Sequence, residues 1–431
     1  MRYPPARLAF LMWGMAASFY LFGFFQRVAP ASLAGDLMRD FGLTAAALGN
    51  LSAFYFYAYA AMQLPTGVLV DRYGPSRLFF VGALLAGLGA LLFALSPTVL
   101  GAGLGRALIG AAHGFAWVSM LKLVAHWFPA TRFASMSGLS LAVGTLGAVL
   151  AGPPLRWLAD DYGWRTVIAA SGGLALLLAL LVRWKMRDDP LDRRYRSYAP
   201  PAAHRQVSAG QSWASVFAGV VEVWRYRNTL LLFMVNSGVC GAFLTFTGLW
   251  GVPYLSQVHG LTVKQAALIT AAMLVLFSVG GIAFGAWSDR WRRRKAPFMV
   301  GAALTALGFA ALALVPQAPL TLLVPVLVLA GFGAGSMAIS FGLAKESVPA
   351  RLQGTVTGAI NMGVMTGTLI QMPLLGVLLD ARWDGALVNG VRQYAPEAYQ
   401  AGWWVLFGWL LAAVALLSFT RETHARQNGG A

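Results

Sequence analysis

Charge is scarce in this chain. Only 11% of its 431 residues are Asp, Glu, Lys or Arg, less than half the share of about 25% found in soluble domains. So few charges cannot cover a globular surface. Acids are scarcer still, with 15 Asp+Glu against 32 Lys+Arg and a formal net charge of +17. That basic balance would suit a nucleic-acid binder, but such a protein also needs a solvated surface, which this composition excludes. A single cysteine, Cys240, excludes an intramolecular disulfide and a cysteine-only metal site. Five scattered histidines suggest no metal centre. No Gly-x4-Gly-Lys-Ser/Thr loop offers a nucleotide site, so no cofactor is expected. What the chain has is apolar length: 58% hydrophobic residues and a mean hydropathy of +0.66.

A helix needs about 20 mostly apolar residues to cross a bilayer. Twelve such stretches are predicted, at 8–33, 44–70, 77–95, 98–121, 133–154, 166–183, 228–254, 263–287, 297–314, 319–342, 353–379 and 400–420. The first has too long an apolar run, and no small-residue cleavage site, for a signal peptide. A polar segment with Arg193-Arg194-Tyr195-Arg196 separates the sixth and seventh spans, with an amphipathic stretch at 213–224. The expected division is an N-terminal six-helix bundle (1–185), a central loop (186–227) and a C-terminal six-helix bundle (228–431). With both termini placed in the cytoplasm, 24 Lys/Arg fall inside and 6 outside, the bias that orients membrane proteins. The expectation is a monomeric, multi-pass protein of the cytoplasmic membrane, surrounded by lipid.

The two halves repeat. Gly67-Val-Leu-Val-Asp71-Arg72 follows the second span, and Gly285-Ala-Trp-Ser-Asp289-Arg290 follows the eighth, 218 residues later. Gly42-Leu43-Thr44 and Gly260-Leu261-Thr262 share that offset. Pro129-Ala130, Gly138, Gly147 and Pro153 recur 220 residues on as Pro349-Ala350, Gly358, Gly367 and Pro373. A run of matches at one offset points to a duplicated six-helix unit, and two like halves around a central site suit alternating access.

The segment Gly67-Val-Leu-Val-Asp71-Arg72-Tyr-Gly74-Pro-Ser-Arg77 resembles the signature loop of the major facilitator superfamily, complete in the first half. The second copy keeps Gly285, Asp289 and Arg290 but has Arg292 where the second glycine would stand. Arg106-Ala-Leu-Ile-Gly110 is similar to that family's arginine motif in the fourth helix. The resemblance implies an all-α fold of twelve helices in two pseudo-symmetric six-helix bundles. It also implies a cytoplasmic gate in which Asp71 and Arg72 latch the halves when the carrier opens outward, with Gly67 and Gly74 allowing close approach and a tight turn. Gly147, Gly152 and Pro153 match only part of the glycine-proline pattern of drug exporters and suit ordinary small-residue packing.

Ionisable groups inside a membrane are costly and mark function. All fifteen acids fall in loops or at helix ends, whereas Arg27, Arg106 and His113 fall inside spans. Arg27 lies about 9 Å below the outer end of its span and Arg106 about 12 Å below the outer end of its own, at 1.5 Å per residue. A guanidinium fork suits a carboxylate or phosphate. Arg27, and with it Arg106, is therefore a candidate site for an organic anion; a structural Arg106 bonded to backbone carbonyls, and an Arg27 that snorkels outward, are the other readings. His113 is the candidate for proton coupling, with a satisfied interior histidine as its alternative. Gln26 stands where acid-coupled anion symporters of the superfamily often carry an acid. Tyr55, Tyr59 and Gln63 share one face of the second span, Trp117 follows His113 by a turn, and Asn236, Asn361 and Gln371 are further pocket candidates. The function expected is secondary transport of a small organic anion. A proton-driven exporter of drugs or other amphiphiles is the alternative, favoured by the aromatic second span. An enzyme is not expected, because no paired acids, metal cluster or activated nucleophile lies in the spans.

Overall fold

The computed structural model describes residues 2–199 and 213–426; Arg205, counted above with the central loop, lies outside them. Twelve long helices run in chain order: α1 (Ala6–Phe41), α2 (Ala45–Tyr73), α3 (Pro75–Leu95), α4 (Val99–Trp127), α5 (Phe133–Leu150, continued by Pro153–Tyr162), α6 (Trp164–Lys185), α7 (Arg227–His259), α8 (Val263–Trp291), α9 (Lys295–Leu314), α10 (Leu320–Glu346), α11 (Gln353–Asp380) and α12 (Pro396–Ser418). Ten are each long and apolar enough to cross a membrane, and the two pieces of α5 together make an eleventh. The remaining one, α2, is diluted by Asn50, Tyr55, Tyr57, Tyr59 and Gln63. A short helix, Trp213–Val223, lies in the linker, and a two-stranded antiparallel hairpin, β1 (Leu387–Val388) and β2 (Val391–Arg392), precedes α12.

The apolar belts face outward. Leu174, Leu180, Leu322 and Ile282 are more than three-fifths exposed, as expected of side chains that meet lipid, while Gln26, Arg106, Asn236 and Gln371 are wholly buried. Helices outrun their apolar runs: α1 continues eight residues past its predicted end at 33. Hydropathy marks the membrane, not the helix, and the extension is held by Asp36, which pairs with Arg39 at 2.7 Å and with Arg156 of α5. The predicted span at 133–154 is bent by 40° near its end, at Gly152-Pro153, because proline cannot donate to the preceding turn.

Each repeated motif has a structural cause. Gly42 and Gly260 end α1 and α7 in the left-handed conformation (φ 62° and 67°), and Thr44 and Thr262 then cap the next helix through their hydroxyls. Helices α4 and α10 break at matching points, after His113 and at Gly335–Met337. The N-terminus of α3 is capped by Asp188, from just after α6, through Ser76 N at 2.5 Å; that of α9 is capped by Glu422, from just after α12, through Arg294 N and Lys295 N, both at 2.9 Å. Duplication thus reaches down to the caps.

The signature loop shows why the two copies differ. Gly74 sits at φ 77°, ψ 157°, a region closed to side chains, whereas Arg292 sits at φ 49°, ψ 38°, which an L-residue can enter at modest cost. Gly74→Ala should therefore destabilise the protein by about 1–3 kcal/mol, and Arg292→Gly should leave thermal stability unchanged or slightly raised. A larger fall for Arg292→Gly in a melting experiment would refute this account.

Candidate functional site

The halves meet tightly at the face opposite the termini. There Asp380, the last residue of α11, accepts hydrogen bonds from Ala45 N (3.0 Å) and Ala46 N (2.8 Å) at the start of α2, and from Tyr394 Oη (2.8 Å). The Asp380 carboxylate sits on the positive end of the α2 dipole. Lys264 of α8 pairs with Asp160 of α5 at 2.9 Å on the same face. Toward the termini the halves part. A cavity of about 470 Å³ opens between α2, α11 and the linker helix, lined by Gln63, Gly67, Val68 and Asp71 on one side and Gly354, Thr355 and Gly358 on the other.

From this cavity one face of α2 leads inward. Residues four apart stack on a helix, so Gln63 is followed by Tyr59 and then Tyr55, whose rings stack at 5.9 Å. At the end of this ladder stands Arg27 of α1, 9% exposed. Its Nη2 lies 3.5 Å from Tyr55 Oη, and its guanidinium lies over the rings of Phe24 (4.6 Å), Tyr59 (5.3 Å) and Tyr55 (5.6 Å). Its Nε has no partner, and among the described residues no acid pairs with it. A weak hydroxyl contact and three ring faces hold the cation, and most of its donors carry no hydrogen bond among the described residues.

Arg106 is employed differently. Its Nη1 donates to the Gln26 carbonyl at 2.5 Å and its Nη2 to the Ser52 carbonyl at 3.4 Å. In an unbroken helix the Gln26 carbonyl would accept from residue 30, but residue 30 is Pro30, which has no N–H. Arg106 thus supplies the donor that the proline removes, and it ties α4 to α1 and α2. The structure puts Arg106 in the backbone-bonding role, at 0% exposure.

His113 is stacked on Phe19 at 4.4 Å, with Nδ1 2.7 Å from the Ile109 carbonyl and Nε2 without a partner. Gly23 of α1 makes room for the ring, since a side chain there would overlap it. Trp117 is half-buried against Tyr20 at 5.5 Å. Gln63 donates to the Gly114 carbonyl (2.9 Å) at the α4 break and accepts from Asn361 of α11 (2.8 Å), so it spans the two halves. Asn236 and Gln371 are not brought to this cluster: Asn236 bonds Ser340 Oγ (2.8 Å) and Gln371 bonds the Ser237 carbonyl (3.2 Å), both within the C-terminal half.

Among the described residues, the predicted gate residues make no ion pair across the halves in this conformation. Asp71 pairs with Lys122 of its own half at 2.8 Å, and Asp289 with Arg294 at 2.5 Å. Arg72 lies 5.6 Å from the Tyr73 ring. Nothing lies within 4 Å of where a side chain would start at Gly67 or Gly285, so neither glycine makes a close approach here. Arg77 and Arg290 flank the two loops as the sequence places them.

Sequence reasoning missed Phe24 and Tyr20, the rings one and two turns before Arg27 on α1. Aromatic residues in an apolar helix carry no signal of their own, but their spacing of three and seven from an isolated arginine is one. It also missed Asp380, which reads as an ordinary acid at a helix end.

Residues 8–252 and 239–431 match the Major Facilitator Superfamily. The chain is 27% identical over 288 residues to the probable sulfoacetate transporter SauU of Cupriavidus necator, covering 66% of each chain, so it spans about two thirds of that relative's length. It is 24% identical over 390 residues to the probable galactarate/D-glucarate transporter GudP of Escherichia coli, covering 84% of this chain and 85% of the relative. Among solved structures, a bacterial homologue of the human lysosomal transporter Spinster, inward-facing and unoccupied, superposes with a TM-score of 0.76 at 17% identity, over 96% of this chain and 97% of that one.

Proposed function

The chain belongs to the major facilitator superfamily, and from that premise we propose that it is a secondary transporter of a small organic anion, working by alternating access in the cytoplasmic membrane with both termini inside. One observation carries the reading: Arg27, at the end of the α2 ladder that starts in the cavity, has no acidic partner among the described residues and a guanidinium held by rings. A fork of this kind pairs with a carboxylate or sulfonate through two parallel hydrogen bonds. The named substrates of SauU and GudP are organic acids of that type, which supports the same choice here. A cationic drug would meet the Arg27 charge with no acid to offset it.

In this reading the structure is the conformation open toward the cytoplasm, with Asp380 and the Lys264–Asp160 pair closing the outer face. When the inner cavity closes, Asp71 and Arg72 with Gly67, Gly74 and Arg77, and their counterparts Gly285, Asp289 and Arg290, latch the cytoplasmic face. Tyr55, Tyr59, Gln63 and Asn361 line the path, Trp117 stands beside it, and Arg106 positions α1. Asn236 and Gln371 shape the C-terminal half behind it.

The test is ligand-induced stabilisation of the purified protein by D-glucarate, D-galactarate and sulfoacetate, against galactose and choline. A ligand at 100 times its Kd raises stability by about 2.7 kcal/mol, so an organic acid that binds should shift the melting curve while galactose and choline do not. Equal stabilisation by choline would reject the anion site.

A further inference from the structure

The end of α6, on the side of the N-terminus, carries a group of cations that transport does not use. Arg183, Lys185, Arg187, Arg193, Arg194 and Arg196 all fall between residues 183 and 196. The three acids of the same stretch are each turned to another task. Asp188 caps α3 through Ser76 N. Asp189 is 8% exposed and is bonded to His126 Nδ1 (2.7 Å), Ser197 Oγ (2.9 Å) and Leu191 N (2.8 Å). Asp192 accepts from the Asp189 amide at 3.4 Å. Among the described residues, none of the six cations pairs with an acid.

The segment that follows α6 is a fixed platform. Trp127 Nε1 of α4 donates to the Arg187 and Asp188 carbonyls, both at 3.2 Å. Tyr198 N donates to the His126 carbonyl (3.1 Å) and Arg196 N to the Arg2 carbonyl (2.9 Å), while the Tyr198 ring stacks on Tyr3 at 4.4 Å. Arg193 Nη2 reaches back to the Lys185 carbonyl (2.6 Å) and Arg187 Nη1 to that of Met186 (2.7 Å). These two cations neutralise the negative end of the α6 dipole, so the helix end does not repel an anion. The side chains of Arg183, Lys185, Arg194 and Arg196 make no hydrogen bond among the described residues; Lys185 Nζ rests 3.5 Å over the Trp184 ring and Arg196 5.1 Å over that of Tyr3.

Trp184 is 68% exposed and ends a stripe of exposed leucines, Leu174, Leu177 and Leu181. Spacings of three and four put them on one face of the helix. An apolar track that ends in an indole and then in cations has the order of a phospholipid: acyl chain, interface, phosphate. The other half is a built-in control. Glu422, just after α12, does the capping that Asp188 does after α6, yet α12 has no basic residue in its last turn, where α6 has Arg183 and Lys185. The shared fold therefore does not require the cluster.

We propose that the end of α6 and the segment after it form a binding site for an anionic phospholipid, with the headgroup phosphate held by Arg183, Lys185, Arg194 and Arg196 and an acyl chain laid along Trp184, Leu181 and Leu177. The exposed apolar stripe beside the cations selects a lipid over a free phosphate. The site is independent of the anion reading and stands if no organic acid binds.

Delipidated protein in a neutral detergent is titrated with cardiolipin, phosphatidylglycerol and phosphatidylcholine, and binding is read by native mass spectrometry and thermal melts. The two anionic lipids should bind and raise the melting temperature, and phosphatidylcholine should not. Arg183→Gln, Lys185→Gln, Arg194→Gln and Arg196→Gln together should weaken cardiolipin binding at least about tenfold. Removing the same charge from the other half, by Arg292→Gln, Arg293→Gln, Arg421→Gln and Arg426→Gln, should change it by less than about twofold, since exposed charges act within a Debye length. Equal losses in the two variants would show diffuse attraction by net charge and overturn the site. Equal stabilisation by phosphatidylcholine, or by inorganic phosphate at the same concentration, would overturn it as well.

A second measurement keeps every charge in place. Lipids with brominated acyl chains quench nearby indoles, and the part of the quenching that Trp184→Phe removes should saturate at about tenfold lower concentration with brominated cardiolipin than with brominated phosphatidylcholine. Quenching by cardiolipin that is the same in wild type and Trp184→Phe would put the lipid elsewhere and reject the proposal.

Discussion

Arg27→Ala should weaken organic-acid binding by about thirtyfold or more and leave the unliganded protein about as stable as before. The two halves of this expectation have one cause. In the proposed complex with a carboxylate or sulfonate, Arg27 would make charge-assisted hydrogen bonds in a site shielded from water, and removing one member of such a pair costs about 2–5 kcal/mol. That is a loss of about thirtyfold to over a thousandfold in affinity. Unliganded, the guanidinium has one hydrogen bond at 3.5 Å and three ring contacts to offset its burial. Those ring contacts and the desolvation cost roughly cancel, so stability should change by no more than about 1 kcal/mol. Arg27→Lys keeps the charge but loses the fork, and its affinity should fall between the two. Calorimetric titration with D-glucarate or sulfoacetate, beside thermal melts of the empty proteins, measures both quantities. Wild-type affinity in Arg27→Ala would remove Arg27 from the site.

The second arginine should behave in the opposite way. Arg106→Ala is expected to destabilise the empty protein by about 3–6 kcal/mol, since each of its two bonds is a charged donor to a buried carbonyl worth about 1.5–3 kcal/mol. Such a variant expresses poorly or melts early whether or not anion is present. The cause can be isolated, because the Gln26 carbonyl needs Arg106 only through Pro30. In a Pro30→Ala background residue 30 regains an N–H, and the cost of Arg106→Ala should fall by about 1–3 kcal/mol. Equal costs in the two backgrounds would show that the proline gap is not what Arg106 serves. Together the two variants separate a charge proposed to meet substrate from one that replaces a missing backbone donor.

Much of this was legible in the residue string because membranes impose strict arithmetic. Twelve apolar runs, a repeat at one offset and the Gly67–Arg77 loop carry the fold without coordinates. That Arg27 is a cation inside a span was also legible. Local geometry was not. The bend at Gly152-Pro153 lies inside a continuous apolar run, and hydropathy is blind to direction. Asn236 and Gln371 were polar residues at plausible depth, but which neighbour a buried amide bonds depends on helix rotation, and rotation turned them toward Ser340 and Ser237.

The sequence by itself determined that the chain lives in a bilayer, that it is built from two copies of one six-helix unit, and that its interior carries positive charge with no acid to match. These follow from composition and spacing, because water, lipid and buried charge each admit few side chains. Only the tertiary structure decided what surrounds the two arginines. Both are buried and equally charged in the sequence. One faces a ladder of rings that rises from a cavity; the other faces a carbonyl that a proline left without a donor. That difference depends on which groups lie within about 3 Å of each guanidinium, and such distances are set by how α1, α2 and α4 pack, not by the order of residues along any one of them.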